Sequence, residues 1–349
     1  MRKLFFAQRL NVDFIKRAAV LVAAVAVFTL ALIGDTHFAE ASGATSACVA
    51  MEPVTRTVLY SRNADVHLPM ASTTKIMTAL IVCEECDPDR IISVPAEAAG
   101  VEGSSIYLRA GEEIDVRDLL YGLMLRSGND AAVALAITHS GSVESFVDRM
   151  NARAAELGAH NTHFLNPNGL PAEGHYTTAR DLCTIACAAM QDNLFREVVG
   201  TKSWHGRYRS YANKNKMLYN YEGATGVKTG YTVKAGRCLV SSAKRSGMEV
   251  VCALLNEYDM YAVSASVLDS CFEKFALYSL SPEKVFMCGG VPCSVDKTYK
   301  FVAGRSDVLR YECTPRKSAL RCENKSACGK LKIYSGNSLI FGAKLYSII

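Results

Sequence analysis

Three short clusters carry residue types that could do acyl-transfer chemistry: Ser72-Thr73-Thr74-Lys75, Ser127-Gly128-Asn129 and Lys228-Thr229-Gly230. On a helix, a hydroxyl and an amine three positions apart share one face. A serine hydroxyl is a weak nucleophile at neutral pH and needs a base within hydrogen-bond reach. Lys75 can be that base only as a free amine, a form favoured by burial and by a nearby cation such as Lys228. At the start of a helix, Ser72 also has backbone N–H groups beside it that can hold the oxyanion of a tetrahedral intermediate. Taken alone, Ser-x-x-Lys is a weak signal, equally well read as a capped helix with a solvated lysine.

The other two clusters, in this order, make coincidence a poor explanation. Ser127 can relay a proton between Lys75 and a leaving group, and Asn129 offers an amide donor and acceptor to a peptide-like backbone. Lys228 and Thr229 can bind a carboxylate, and Gly230 lets a substrate lie along a strand edge with no Cβ in the way. The set suits a peptide with a free terminal carboxylate and calls for no metal or cofactor.

The elements that must position these groups are legible around them. Ala47 to Glu52 and Thr57 to Tyr60 read as a hairpin, and a helix apolar over much of its surface runs from Ser72 until before Pro88. Asp115 can cap a second helix, and Ser127-Gly128-Asn129 forms a turn before the apolar stretch Ala131 to Ile137. Ser142 opens an amphipathic helix that Gly158 closes in a left-handed cap. Cys238 to Ala243 and Glu249 to Leu255 are strands joined by a hairpin turn, with Val227 to Thr229 as a third antiparallel neighbour. A helical pattern from Tyr261 to Leu280 then ends the first domain, and short strands follow from Ser281.

The 349 residues, half of them apolar, can bury two cores. Arg2, Lys3, Arg9, Lys16 and Arg17 precede an apolar run from Ala18 to Ile33, and Ala39-Glu40-Ala41 gives a small-x-small cleavage pattern. Residues 1–41 are therefore expected to be an export signal, with an uncleaved membrane anchor as the alternative. Five cations and three anions precede the cut, so the net charge of +5 becomes +3, too mild to point to nucleic acid. The odd count of 13 cysteines leaves at least one thiol unpaired in a monomer. Cys83 and Cys86 form a Cys-x-x-Cys without the second pair a zinc site needs. Cys288, Cys293, Cys313, Cys322 and Cys328 crowd the C-terminal part, where one or two disulfides are expected in an oxidising compartment.

The three clusters form the signature shared by class A β-lactamases and penicillin-binding proteins. With Asn63-Ala64-Asp65, Pro69-Met70-Ala71, the segment from Asn161 to Leu170, His175 to Asp181 and Asn213 to Lys216, the chain resembles the serine-type D-alanyl-D-alanine carboxypeptidases of the low-molecular-mass penicillin-binding proteins over roughly residues 47 to 280. The resemblance implies an α+β fold: an antiparallel sheet flanked by helices with a helical subdomain in 42–280, then a small β-rich domain in 281–349. It also implies removal of the terminal D-alanine from peptidoglycan stem pentapeptides through a Ser72 acyl-enzyme, and covalent inhibition by β-lactams. The Tyr231 N–H is implied as the second oxyanion donor, and Lys214 as a further ligand of the substrate carboxylate. Arg237 departs from the less charged or aromatic residue usual at its position. No basic amphipathic helix follows the β-rich region, so attachment falls to the leader or the enzyme is released.

Three other readings compete. A β-lactamase needs a deacylating glutamate between the second and third clusters, where Glu173 lies without that family's surrounding pattern. A transpeptidase would share the acylation residues and differ in acceptor. A wall-binding pseudoenzyme would keep the fold, but every reactive position is intact here. His163 and His175 fall in segments that read as structural turns.

Overall fold

The computed structural model describes residues 45–316 and 326–348, so the leader and Cys322 lie outside the described residues. The chain opens with the expected hairpin, β1 (Ala47–Met51) against β2 (Val58–Arg62). A 3-10 turn, Ala71–Thr74, leads into α1 (Lys75–Glu85). The short pair β3 (Ile91–Ser93) and β4 (Glu113–Asp115) precedes three helices: α2 (Val116–Leu125), α3 (Asn129–Ser140) and α4 (Val143–Leu157). The caps fall where the side chains dictate. Asp115 accepts from the Asp118 N–H at 2.6 Å, Ser142 accepts from the Ser145 N–H at 3.1 Å, and Gly158 takes φ +84°. Next come α5 (Ala179–Ala189), α6 (Asn193–Gly200), the hairpin β5 (Ser203–His205) and β6 (Ser210–Ala212), and the single turn α7 (Met217–Asn220).

The main sheet is completed by β7 (Ala224–Thr232), β8 (Gly236–Arg245) and β9 (Met248–Leu255), in the antiparallel order β2-β1-β9-β8-β7. All eight residues of β9 are buried, because both faces of the sheet are covered. Alternation sorts them: Val251, Ala253 and Leu255 join Val49 and Met51 beneath the helical layer. Val250, Cys252 and Leu254 join Cys48 and Ala50 against α8 (Met260–Lys274). Helix α8 meets them with Val267, Leu268, Cys271 and Phe272, one face at helical spacing.

The structure corrects the reading of a helix running on to Leu280. Helix α8 stops at Lys274, and Phe275–Leu280 form β10, paired with β13 (Tyr299–Gly304). Phe275 and Leu277 pack toward the α8 core, while Tyr278 and Leu280 pack into a separate C-terminal core. That alternation has period two; the spacing of Phe275 from Cys271 and Phe272 continues the helical stripe by coincidence. The C-terminal region adds β11 (Phe286–Cys288), β12 (Val291–Ser294), β14 (Leu309–Pro315), β15 (Ala327–Ser335) and β16 (Ser338–Ser347), in the order β11-β12-β16-β15-β14. Its core gathers Phe301, Leu331, Ile333 and Leu345 beside a Cys293–Cys328 disulfide, with Cys288 and Cys313 as free thiols. Burial pushes the Cys83 and Cys86 thiols up, and the described residues hold no cluster of His, Cys, Asp and Glu suited to a metal.

Leu268 is fully buried between α8 and the sheet. Leu268→Ala is expected to cost about 2–5 kcal/mol in urea unfolding. The folded fraction should still react at Ser72, which lies under the opposite face; a cost below about 1 kcal/mol would show that this core is loosely packed.

Candidate active site

Ser72 does not sit in α1 but in the tight turn before it, a turn braced on several sides. The Thr73 N–H and hydroxyl both donate to the Met70 carbonyl, at 3.2 and 2.6 Å, and the Thr74 hydroxyl donates to the Ala71 carbonyl at 2.9 Å. The backbone ladder begins at Thr73, so the Ser72 N–H lies ahead of it. His175 adds a buried strut. Its Nδ1 accepts from the Leu165 N–H at 3.0 Å, which places the ring proton on Nε2, 2.9 Å from the Thr74 hydroxyl oxygen. Desolvation, helped by His163, pulls the His175 pKa down to about 4, so the ring is neutral at pH 7 and acts as a fixed brace.

Lys75 is fully buried, and its Nζ has three hydrogen-bond partners: Ser72 Oγ at 3.0 Å, Asn129 Oδ1 at 2.7 Å and the Asn168 carbonyl. Burial first, then the charges of Lys228 and Lys214, hold its pKa well below the usual lysine range, with Asp130 opposing. A neutral amine keeps two N–H donors and one lone pair. Both carbonyl oxygens can only accept, so they take the two protons, and the lone pair is left facing Ser72, the one partner able to donate. Three oxygens thereby orient a base at the hydroxyl.

The third cluster closes the site from the sheet edge. Strand β7 is an edge strand packed against the Ser72 turn. A Cβ on Gly230 would come within 3.0 Å of the Ser72 nitrogen, so only glycine permits this approach. Lys228 is buried, donates to the Thr229 carbonyl at 2.8 Å, and has its pKa pulled down to about 7 by desolvation and by Lys214. Lys214 is solvent-accessible; desolvation and Arg126 lower its pKa in turn. Thr229 is half-buried, and Tyr231, next along the edge, is exposed.

In the second cluster Ser127 is buried at φ +65°, and it is not among the partners of Lys75. Asn129 spends its carbonyl on Lys75 and its amide N–H on the Glu102 carbonyl, so in this state both ends of the amide are engaged by the protein. The buried Asp130 accepts from the Ile106 and Leu108 N–H groups and the Ser105 hydroxyl, tying the 105–108 loop to the start of α3. Among the described residues no carboxylate bonds to Ser72 or Lys75, and Glu173 is exposed. Arg237 faces Tyr231 across the ladder, where its guanidinium lies 4.8 Å from the Tyr258 ring and donates to the Tyr258 carbonyl.

The reading of the motifs missed Asn168, Gly169, His175 and Asp130 as parts of the site. Gly169, at φ +85°, lies so close to the nucleophile turn that a Cβ would strike the Ala71 carbonyl. Gly169→Ala should therefore displace both the Ser72 turn and the Asn168 carbonyl. At least a tenfold loss of acylation by a labelled penicillin is expected, on the order of one misplaced catalytic contact, with far-ultraviolet circular dichroism unchanged. Normal acylation would show that this contact does not position the site.

A family model described as D-alanyl-D-alanine carboxypeptidase matches residues 35–259. The chain is 38% identical over 245 residues to D-alanyl-D-alanine carboxypeptidase DacF of Bacillus subtilis, covering 66% of this chain and 63% of that relative. It is 37% identical to a D-alanyl-D-alanine carboxypeptidase of Streptomyces sp. strain K15, over 69% of this chain and 91% of the relative. Among solved structures, penicillin binding protein 5 from Haemophilus influenzae superposes with a TM-score of 0.74 at 25% identity, over 86% of this chain and 96% of the other. The Streptomyces K15 DD-transpeptidase does so with a TM-score of 0.63 at 35% identity, over 66% and 97%. The motif order, the sheet edge laid against a serine turn and these similarities converge: the chain belongs to the D-alanyl-D-alanine carboxypeptidase family of serine peptidases.

Proposed function

We propose that this chain removes the terminal D-alanine from peptidoglycan stem pentapeptides through an acyl-enzyme on Ser72. One observation carries the reading: of the three hydrogen-bond partners of the buried Lys75 amine, only Ser72 can donate a proton. In the proposed reaction the Ser72 proton passes to Lys75 as Oγ attacks the penultimate carbonyl. The N–H groups of Ser72 and Tyr231 receive the oxyanion. The proton returns to the departing D-alanine nitrogen through Ser127, and water then cleaves the ester with Lys75 again as base. Lys228, Thr229 and Lys214 hold the terminal carboxylate, and Asn129 turns its amide to the peptide. β-Lactams enter as substrates whose acyl-enzyme persists. The leader supports export to the wall side of the cytoplasmic membrane, with attachment by the leader where it is not cleaved.

A transpeptidase reading has one specific support: the Streptomyces K15 protein goes by the names D-alanyl-D-alanine carboxypeptidase and DD-transpeptidase. The two differ only in whether water or an amine takes the acyl group.

Penicillin should label the protein once, and Ser72→Ala should remove the label. D-Alanine should be released repeatedly from a diacetyl-lysyl-D-alanyl-D-alanine peptide; added amine acceptors leaving no ligated product would set the transpeptidase reading aside. Saturable binding of wall fragments with neither reaction would mean a pseudoenzyme, and rapid penicillin turnover without D-alanine release a β-lactamase.

The pH dependence follows from two depressed lysines. The base must be neutral, so kcat/KM should rise as Lys75 loses its proton. The carboxylate site must be charged, so kcat/KM should fall as the pH passes the Lys228 value of about 7. Lys214 lowers both pKa values, so Lys214→Gln should move both limbs to higher pH. Amidating the peptide's carboxylate should remove the alkaline limb and most of the activity. A limb that stays in place in Lys214→Gln would sink the assignment of that lysine.

A further inference from the structure

The C-terminal sheet buries one face and leaves the other in solvent, and the exposed face is cationic. The register of β14, β15 and β16 sets three rows on it: Arg310, Tyr334 and Leu339; Glu312, Lys332 and Gly342; Thr314, Lys330 and Lys344. Of their alternates, Ile333 and Phe341 in one row and Cys313, Leu331 and Ala343 in the next belong to the C-terminal core, while Tyr311 is exposed under the Lys284 ammonium. Arg310 lies 3.9 Å from Glu312, the only acid in these rows, and over the Tyr334 ring at 4.5 Å. No described acid forms an ion pair with Lys330, Lys332 or Lys344. Lys330 and Lys344 are directly cross-strand, an arrangement of like charges that works against the sheet.

We propose that this face binds a linear polyanion built on phosphate repeats. Strands lie ~5 Å apart and alternate residues along a strand ~7 Å apart, so Lys330, Lys332 and Lys344 are close enough for one extended anionic chain to meet all three. Gly342 leaves open space between Lys332 and Lys344, with only the Leu331 carbonyl within reach of an added Cβ. Lys332 and Lys344 thus stand on either side of a residue that puts no side chain in the way of a ligand. A bilayer would call for apolar groups projecting among the cations; Tyr334 and Leu339 stand apart in the Arg310 row, and the two lysine rows carry only Thr314, Glu312 and Gly342 besides the lysines. The site is independent of the reading of Ser72.

The test uses the full chain and a labelled inorganic polyphosphate, followed by fluorescence anisotropy, with vesicles of phosphatidylglycerol and phosphatidylcholine alongside. Polyphosphate should bind saturably and weaken with salt, as exposed charges are screened. The combined substitutions Lys330→Gln, Lys332→Gln and Lys344→Gln should weaken binding by about tenfold or more. Penicillin labelling should stay unchanged, and the thermal midpoint should stay level or rise once the like charges are gone. Binding that survives the triple substitution, binding to vesicles but not to polyphosphate, or a lowered midpoint in the variant would overturn the proposal.

Discussion

The rest of the site depends on one constraint: an amine must be kept dry and close to a hydroxyl. Lys75 and Lys228 are both buried, and each carries a depressed pKa. Such groups cost stability. Between the folded pKa of about 7 and the ordinary 10.5 of Lys228, the unfolded chain binds a proton that the native chain does not. Stability from this group therefore rises with pH across that window, and Lys75 acts in the same direction. His175 adds the acid counterpart, since its fall to about 4 makes protonation work against the fold as pH drops below its ordinary 6.5. The large cores on both faces of the sheet offset this cost, and the oxygens around Lys75 localise it.

Two glycines show how closely the parts are drawn together. Gly169 approaches the Ser72 turn from the loop before α5, and Gly230 approaches it from β7; a Cβ at either would reach the Ser72 nitrogen at 3.0 Å. The nucleophile is thus clamped between a loop and a sheet edge that no short sequence spacing connects. The sheet edge is stiff because β8 and β9 behind it are buried on both faces. In the proposed reaction a peptide aligns with this edge as an added strand, so that main-chain bonds set its register and Lys228 meets its terminal charge.

The legible parts of the molecule were those whose signal is a side chain at fixed spacing. The three motifs, the Asp115 and Ser142 caps, the Gly158 terminus and the β8–β9 hairpin all have this character. The Asn168 carbonyl does not, because every residue supplies one and only the fold decides where it points. The same holds for Asp130, which reads as one more polar residue at the start of a helix until the 105–108 loop is seen folded around it. The strand Phe275–Leu280 was hidden for a different reason. Its first apolar residue extends the stripe of α8, and the switch to period two shows only when two separate cores claim alternate residues.

The fate of the acyl-enzyme turns on what leaves the site. In the proposed reaction of a peptide, the C–N bond to the last residue breaks and the released D-alanine vacates the space beside Lys228, which frees Lys75 to deprotonate an incoming water. With a β-lactam, the broken C–N bond is part of a ring, so the amine stays tethered to the acyl group and continues to fill that space. No carboxylate bonds to Ser72 or Lys75 among the described residues, and in the proposed reaction Lys75 is again the base for water. In the proposed mechanism the same lysine serves both half-reactions, and that dependence would let one geometry turn over a peptide while a lactam stays bound.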